Sequence, residues 1–232
     1  MSGLWRYPVK SMAGEALASA GLSWTGLAGD RRWAFVRPDS QDSGFPWYTI
    51  REFPRMSRYV ARLSDPDRPD RSRVQVQAPD GGRYDVTDPR LAAELGTGLR
   101  VMRLDRGTFD AMTVSVISDS TVSALCGQAG VASSELRFRP NVVVTLGSGV
   151  PFEEDDWVGS QVRTGAAVVR VDGRDSRCTI VNVNPASGLP DTHLLKVVGS
   201  ARRARAGVYA TTVLPGLIRV GDPVVVESRP RE

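Results

Sequence analysis

The stretch Thr113-Val114-Ser115-Val116-Ile117-Ser118-Asp119-Ser120-Thr121 carries two opposite backbone signals in a few residues. Thr113 to Ile117 is mostly β-branched and reads as a strand, because branched side chains suit a pleated surface. Ser118 to Thr121 is a cluster of helix N-cap residues, leading into a short helix over Val122 to Gln128. A short strand that hands over to a short helix, within a chain otherwise made of short strands, gives a mainly β or α+β fold, barrel-like, with a few short helices.

Toward the N-terminus, Leu4 to Val9, Trp33 to Val36, Trp47 to Phe53, Tyr59 to Leu63 and Val74 to Gln77 read as further strands. Asp80-Gly81-Gly82 turns the last of these into Arg83 to Val86, while the polar, twice-proline segment Asp65 to Ser72 is a surface loop. Asp88 caps a helix with Pro89 at its first position, and Gly96 stops it after Leu95. Leu99 to Leu104 returns as a strand. Asp105 to Asp110 has no periodicity and lies near the midpoint, so the chain is expected to divide there into residues 1–105 and 106–232.

Toward the C-terminus, Arg137 to Leu146 reads as one long strand, followed by Val162 to Val171 and Cys178 to Val183, with a turn over Pro185 to Gly188. His193 to about Arg205 is an expected helix. Gly207 to Leu214 and Leu217 to Glu227, around Pro215-Gly216, are expected to close the chain as a hairpin. No repeat of 20 to 50 residues is present.

Composition narrows the chemistry. Among 232 residues there is one histidine, His193, and there are two cysteines, Cys126 and Cys178, too few for a histidine-rich metal site or a four-thiolate centre. Lys10 and Lys196 are the sole lysines, so the net charge of +4 is carried almost wholly by arginine, whose planar fork suits phosphate and other anions. No dense basic tract argues for nucleic acid. The longest apolar runs, such as Asn141 to Leu146, are too short to span a bilayer, and Met1 to Gly14 lacks a signal pattern. These features lead to the expectation of a cytoplasmic protein with free thiols, no membrane and no nucleic-acid partner.

Four segments combine reactive or anion-binding groups with a tight backbone. Tyr7-Pro8-Val9-Lys10-Ser11 ends a strand with a cation and a hydroxyl, although a strand-end lysine is ordinarily just solvated. Gly26 to Arg31 places glycines before an Asp-Arg pair, either to admit a ligand or to make a turn. If Arg137, Phe138 and Arg139 lead straight into a strand, then Arg137, Arg139 and Asn141 share one face, either a binding row or an exposed polar surface. Ser176-Arg177-Cys178 sets a cysteine beside an arginine at a loop-to-strand edge, a setting that favours thiolate, whereas Cys126 sits in an apolar helix and is expected to be inert core. A serine hydrolase is unsupported, because no serine stands in a nucleophile elbow and His193 reads as a cap or surface residue. Glu153-Glu154-Asp155-Asp156 reads as a solvated loop without calcium-loop spacing, and Gly147-Ser148-Gly149 lacks a phosphate-binding lysine.

Taken in order, Tyr-Pro-Val-Lys-Ser at 7–11, Gly-Asp-Arg at 29–31, Thr49-Ile50-Arg51-Glu52 with Pro54, Phe138-Arg139-Pro140-Asn141, Ser176-Arg177-Cys178 and Gly221-Asp222-Pro223-Val224 resemble MOSC-domain proteins that carry an N-terminal MOSC β-barrel region. The resemblance runs from about Leu4 to Val226 and is nearest to the amidoxime-reducing group. It implies a MOSC β-barrel over 106–232 preceded by a β-rich N-terminal region over 1–105, and a molybdenum cofactor (Mo-molybdopterin). By the same resemblance Cys178 is the catalytic and metal-ligating residue, a soft sulfur donor. Lys10, Ser11, Arg31, Arg139, Asn141, Ser176 and Arg177 are the implied cofactor contacts, with Ser118 and Thr121 at a helix start and Tyr209 after Gly207-Val208. Ala206 departs from the family, which often has Phe there. The implied activity is reduction of small N-hydroxylated or N-oxide substrates, with electrons from a separate donor protein. The alternative is a cofactor or sulfur carrier that uses Cys178 without reductase turnover.

Overall fold

The computed structural model describes residues 1–227. Four short strands open the chain: β1 (Gly3–Arg6), β2 (Glu15–Ala16), β3 (Ser19–Ser23) and β4 (Gly26–Leu27). They are followed by β5 (Trp33–Val36), β6 (Trp47–Tyr48), the meander β7 (Val60–Leu63), β8 (Val74–Gln77) and β9 (Arg83–Asp85), helix α1 (Pro89–Leu95) and β10 (Arg100–Arg103). The later part begins with β11 (Val114–Ser118), α2 (Asp119–Gln128), β12 (Val142–Val144), β13 (Gln161–Thr164) and β14 (Ala167–Ser176). It ends with β15 (Val183–Asn184), β16 (Leu189–Pro190), α3 (Leu194–Arg202), β17 (Arg205–Leu214), β18 (Gly216–Arg219) and β19 (Val224–Glu227).

Eight strands form one curled, half-barrel sheet in the order β19-β13-β14-β17-β11-β12-β1-β2. All neighbours are antiparallel except β11 and β12. The parallel pair follows from the handover at Ser118: α2 and the segment after it carry the chain back to the start of the sheet, as a parallel crossover requires. The first strands of the chain complete this sheet, β1 against β12, while β3 pairs with β18. Smaller sheets, β10-β5-β6 and β7-β8-β9, pack beside it.

Three clusters of apolar side chains hold these layers. Leu4, Val116, Val144, Trp157, Val169, Val208 and Ile218 fill the concave side of the large sheet. Val9, Phe35, Met56, Val74, Val76 and Leu91 fill the space under the smaller sheets. In β8 the alternation is direct: Val74 and Val76 are buried, Gln75 and Gln77 exposed. Ile117, Leu125, Cys126, Phe138 and Leu194 pack α2 and α3 onto the sheet, so Cys126 is fully buried core. Each such side chain contributes about 1.5–3 kcal/mol by leaving water.

The expected mainly β, α+β architecture with short helices is present, and the caps are where their chemistry puts them. Asp88 accepts from the Arg90 N–H, and the Ser118 hydroxyl accepts from the Thr121 N–H. Several expected strands are corrected. Arg137 to Leu146 keeps only Val142–Val144 as strand: Pro140 has no N–H for a ladder, Arg139 adopts φ 53°, and Glu135–Arg137 is a 3-10 turn. Cys178 to Val183 is largely a 3-10 turn over Thr179–Asn182, in which the Val181 N–H donates to Cys178 O. Trp47 to Phe53 stops as strand at Tyr48. Glu52 accepts from both the N–H and the hydroxyl of Thr49 and gives its own N–H to Thr49 O, closing a turn. Val162 to Val171 is two strands, reversed at Gly165, whose φ of 53° only glycine adopts readily. The closing segments are not a hairpin: β18 pairs with β3 and β19 with β13.

Candidate functional site

A cavity of about 680 Å³ opens where β14, β17 and the loops after β1, β5, β6 and β10 converge. Three irregularities in the β14–β17 register, the last between Arg174 and Ser176, bend the end of β14 and re-aim its side chains. Asp175, Ser176, Arg177 and Cys178 thus follow one another along the cavity wall. Lys10, Ser11, Arg31, Arg139 and Tyr209 line the same space. Ser11, Arg31 and Arg139 all adopt positive φ (71°, 45° and 53°), the left-handed backbone that non-glycine residues rarely take and that concentrates at ligand sites.

Charge is the dominant property of the wall. Lys10, Arg31, Arg51, Arg137, Arg139 and Arg177 face two carboxylates, Asp110 and Asp175. Arg31 is held by Asp30 at 2.6 Å and Asp110 at 2.8 Å, and donates to Arg139 O at 2.8 Å. Burial works against its charge, but the two carboxylates outweigh burial and raise its pKa. Asp110 shows the mirror image: burial pushes it up, yet Arg31 and Lys10 hold it below the usual carboxylate range. Burial lowers the Lys10 amine, with Asp110 opposing, and the amine donates to Phe109 O at 2.5 Å.

Arg139 has no carboxylate partner among the described residues. One of its nitrogens donates to Met12 O at 2.8 Å, a second is buried without a hydrogen-bond partner, and the guanidinium lies 4.3 Å from the Tyr7 ring centroid. Burial brings its pKa down to about 10. Such a group asks for an anion. Arg177 is tied into the wall by Phe138 O, Ala206 O and Asp175, and Arg137 pairs with both oxygens of Asp191 at 2.9 Å. Asp175 also accepts from the Ser115 hydroxyl at 2.7 Å and has the Tyr209 phenol as a neighbour; burial raises its pKa against Arg177 and these groups. The phenol of Tyr209 is raised in turn by burial and by Asp175.

Cys178, part-buried, heads the 3-10 turn over Thr179–Asn182 and faces this cationic wall. No cluster of three or more His, Cys, Asp or Glu able to hold a metal exists among the described residues, so any metal here must bring most of its own ligands.

The structure brings Lys10, Ser11, Arg31, Arg139, Ser176, Arg177, Cys178 and Tyr209 to one cavity, and leaves three residues outside its lining. Asn141 is buried and clamps strands, its side chain accepting from the Ser115 N–H and donating to Trp5 O. Ser118 and Thr121 turn to Glu154. That carboxyl group is fully buried and accepts from the Ser118 N–H at 3.1 Å, the Ser118 hydroxyl at 2.8 Å and the Thr121 hydroxyl at 3.0 Å. The start of α2 is therefore served by an internal acid. The run Glu153 to Asp156 is accordingly not a solvated loop: it is a 3-10 turn in which Glu154 is buried and Asp155 pairs with Arg174 and Arg202. His193 precedes α3 without a side-chain capping bond and is exposed.

Sequence reasoning passed over Asp110 and Asp175 as site residues; it offered Arg137 in a binding row and Arg51 within a motif but assigned neither to the cofactor, and both line the cavity. Asp175 could have been found from its place three residues before Cys178. Asp110 stood in a segment without periodicity and gave no signal.

Among the described residues no helix is long and apolar enough to cross a membrane. Across residues 1–129 the chain matches the model of the MOSC N-terminal beta barrel domain, and across 105–225 that of the MOSC domain. It is 36% identical over 111 residues to the molybdenum cofactor sulfurase of Solanum lycopersicum, covering 43% of this chain and 13% of that protein. It is 30% identical over 128 residues to the mitochondrial amidoxime-reducing component 1 of Mus musculus, covering 50% of this chain and 36% of that protein. The chain therefore spans little more than a third, or less, of these relatives. Its fold is similar to that of the YUAD protein from Bacillus subtilis, with TM-score 0.52 and 15% identity over 96% of this chain and 92% of that one. With sheet, cavity and both family models in agreement from residue 1 to residue 225, the chain belongs to the MOSC domain family.

Proposed function

We propose that the cavity holds a molybdenum cofactor and that the chain is an oxidoreductase for N-hydroxylated or N-oxide compounds, with Cys178 as the protein's sulfur ligand to molybdenum. The observation that carries this reading is a part-buried thiol on a wall of six cations, one of which, Arg139, is half-buried with one guanidinium nitrogen fully buried and unbonded and no carboxylate partner. The donor set fits a phosphorylated, metal-bearing pterin: one soft ligand for the metal and arginine forks for the anion. The name of one curated relative, a molybdenum cofactor sulfurase, supports the cofactor, and that of the other, an amidoxime-reducing component, supports the reaction.

When bound, the cofactor supplies the two-electron removal of oxygen from nitrogen. The overall change for a hydroxylamine is R–NH–OH + 2 e⁻ + 2 H⁺ → R–NH₂ + H₂O. Electrons come from a separate donor protein, and the reaction is placed in the cytoplasm. Arg31 and Arg139 position the anionic end of the cofactor, and Lys10 and Ser11 close the wall beside them. Arg177 is fixed by two backbone carbonyls and Asp175, so it presents a rigid neighbour to Cys178. Tyr209 holds a proton at the cavity wall, its phenol raised by burial and by Asp175, while Asp175, whose pKa burial raises, stays the partner of Arg177.

The test is turnover of an amidoxime with a reduced dye by protein of measured molybdenum and pterin content. Reduction that disappears in Cys178→Ala is expected, and no turnover at full occupancy refutes the proposal. The match to a cofactor sulfurase favours one second reading, a carrier in which Cys178 bears a persulfide. Native mass spectrometry separates the two. Loss of metal but not pterin in Cys178→Ala supports ligation, and loss of an added sulfur atom supports the carrier.

A further inference from the structure

The cavity has two regions of different character. Three of its arginines are matched by acids: Arg31 by Asp30 and Asp110, Arg177 by Asp175, and Arg137 by Asp191. The other region is built by residues 45–51 and 102–109 and is aromatic and apolar. Trp47 and Phe109 meet edge to face with centroids 4.6 Å apart. Phe45 and Met102 line the cavity yet remain 37% and 44% exposed. Large apolar side chains kept in water at the rim of a cavity mark a surface that something covers, and rings are best covered by rings.

Two cations meet this region, Arg51 and Lys10, whose amine lies 5.9 Å from the Phe45 ring centroid; Lys10 is opposed by Asp110, whereas Arg51 has no such partner. The Arg51 guanidinium lies 4.8 Å from the Phe45 ring centroid. Its neighbour Glu52 does not neutralise it, because that carboxylate accepts from the N–H and hydroxyl of Thr49 and pairs with Arg37. No ion pair involves Arg51 among the described residues. A guanidinium held over an aromatic ring and left without a counter-charge is a ready partner for a carboxylate or phosphate.

We infer that the preferred substrates, granted the reductase reading above, are planar aromatic N-hydroxylated compounds that carry an anionic group, the ring covered by Phe45, Trp47 and Phe109 and the anion paired with Arg51. Phe45, Trp47 and Arg51 lie within seven residues of one segment, so substrate choice is set largely by the stretch that runs from Phe45 through β6 to Arg51, apart from the wall that bears Cys178.

The test uses the cofactor-loaded protein with benzamidoxime, its para-carboxylate and para-phosphonate, and an alkyl amidoxime of similar size. Both anionic compounds are expected to exceed benzamidoxime in kcat/KM by about tenfold, mainly through KM, a difference that Arg51→Gln removes. Phe45→Ala is expected to lower the preference for aryl over alkyl compounds about three- to tenfold. Calorimetric binding of the para-carboxylate to the loaded protein, and to its Arg51→Gln variant, is measured alongside. If no compound turns over at full molybdenum occupancy, the reductase reading fails, and the binding data alone judge the inference: affinity lost in Arg51→Gln supports it, affinity unchanged overturns it. An Arg51→Gln variant that lowers pterin retention while leaving the anionic preference intact assigns Arg51 to the cofactor and overturns the inference, as does equal use of alkyl and aryl compounds. A carboxylate preference without a phosphonate preference, or the reverse, tells which anion the site takes and still supports it.

Discussion

Replacing Glu154 separates two roles for the start of α2. Its carboxyl group is fully buried and receives three hydrogen bonds, from the Ser118 N–H and from the hydroxyls of Ser118 and Thr121. The two hydroxyls also bond to each other at 2.9 Å, so Glu154→Ala does not strand all three donors. Each buried donor left unpaired costs about 1–3 kcal/mol, and the void left by the side chain adds to this, giving a loss of about 3–4 kcal/mol. Glu154→Gln keeps the shape and one acceptor oxygen, so it should lose about half as much. The assay is urea unfolding of protein stripped of ligands, with molybdenum and pterin content measured on protein loaded under native conditions. Because the three donors point at Glu154, the Gln variant is expected to retain cofactor as the parent does. A loss under 1 kcal/mol in Glu154→Ala, or cofactor loss in a stably folded Glu154→Gln, refutes the view that Ser118 and Thr121 serve the fold.

Asp110→Asn removes the second carboxylate from Arg31 and should lower stability by about 2 kcal/mol at neutral pH, less than for a wholly buried pair because Asp30 remains. Because the Asp110 carboxyl is held below its usual range, its contribution is full above about pH 4 and is lost as pH falls through the lower folded value. Urea midpoints of parent and variant should therefore differ at pH 7 and converge in acid; a constant gap down to pH 2 would contradict this. Gly207→Ala combines a φ of 72° with a Cβ placed 2.5 Å from Val116 O, a backbone atom that cannot swing aside, and should cost about 2–4 kcal/mol, read as a drop in Tm. Arg139→Gln removes a half-buried charge with no carboxylate partner, so ligand-free protein should change by no more than about 1 kcal/mol, while retention of the phosphorylated pterin falls at least about tenfold.

Elements whose signals are local were legible. Trp33 to Val36 and Val74 to Gln77 are strands at the expected residues, and α1 starts at Pro89 behind Asp88 and stops before Gly96. The errors fall where an apolar run serves a wall instead of a ladder. Ile180 and Val181 read as strand because they are β-branched, yet they line the cavity from a 3-10 turn. Glu154 read as solvent-facing because nothing in its neighbours tells of Ser118, more than thirty residues earlier. The site was legible where motifs are compact, from Lys10 to Cys178, through their resemblance to a family. Asp110 and Asp175 were missed because they matter through the charges opposite them, Arg31 and Arg177, which only the fold brings near.

The pairing of β3 with β18 has a consequence for how the chain is made. Ala20 faces Ile218, and the Gly221 N–H reaches Met1 O at 2.9 Å, so the first strands wait for almost the last ones. At about 5–20 residues per second of synthesis, β3 emerges some 10–40 s before β18 exists. During that interval Leu22 and Leu27, later buried in the large core, have no complete sheet to cover them. Contacts so distant in sequence also make closure slow after release, since a long loop must be drawn in before any bond repays it. The nascent chain therefore keeps apolar surface open until late, and yield in cells is expected to respond to chaperone supply more than the stability of the finished sheet would suggest.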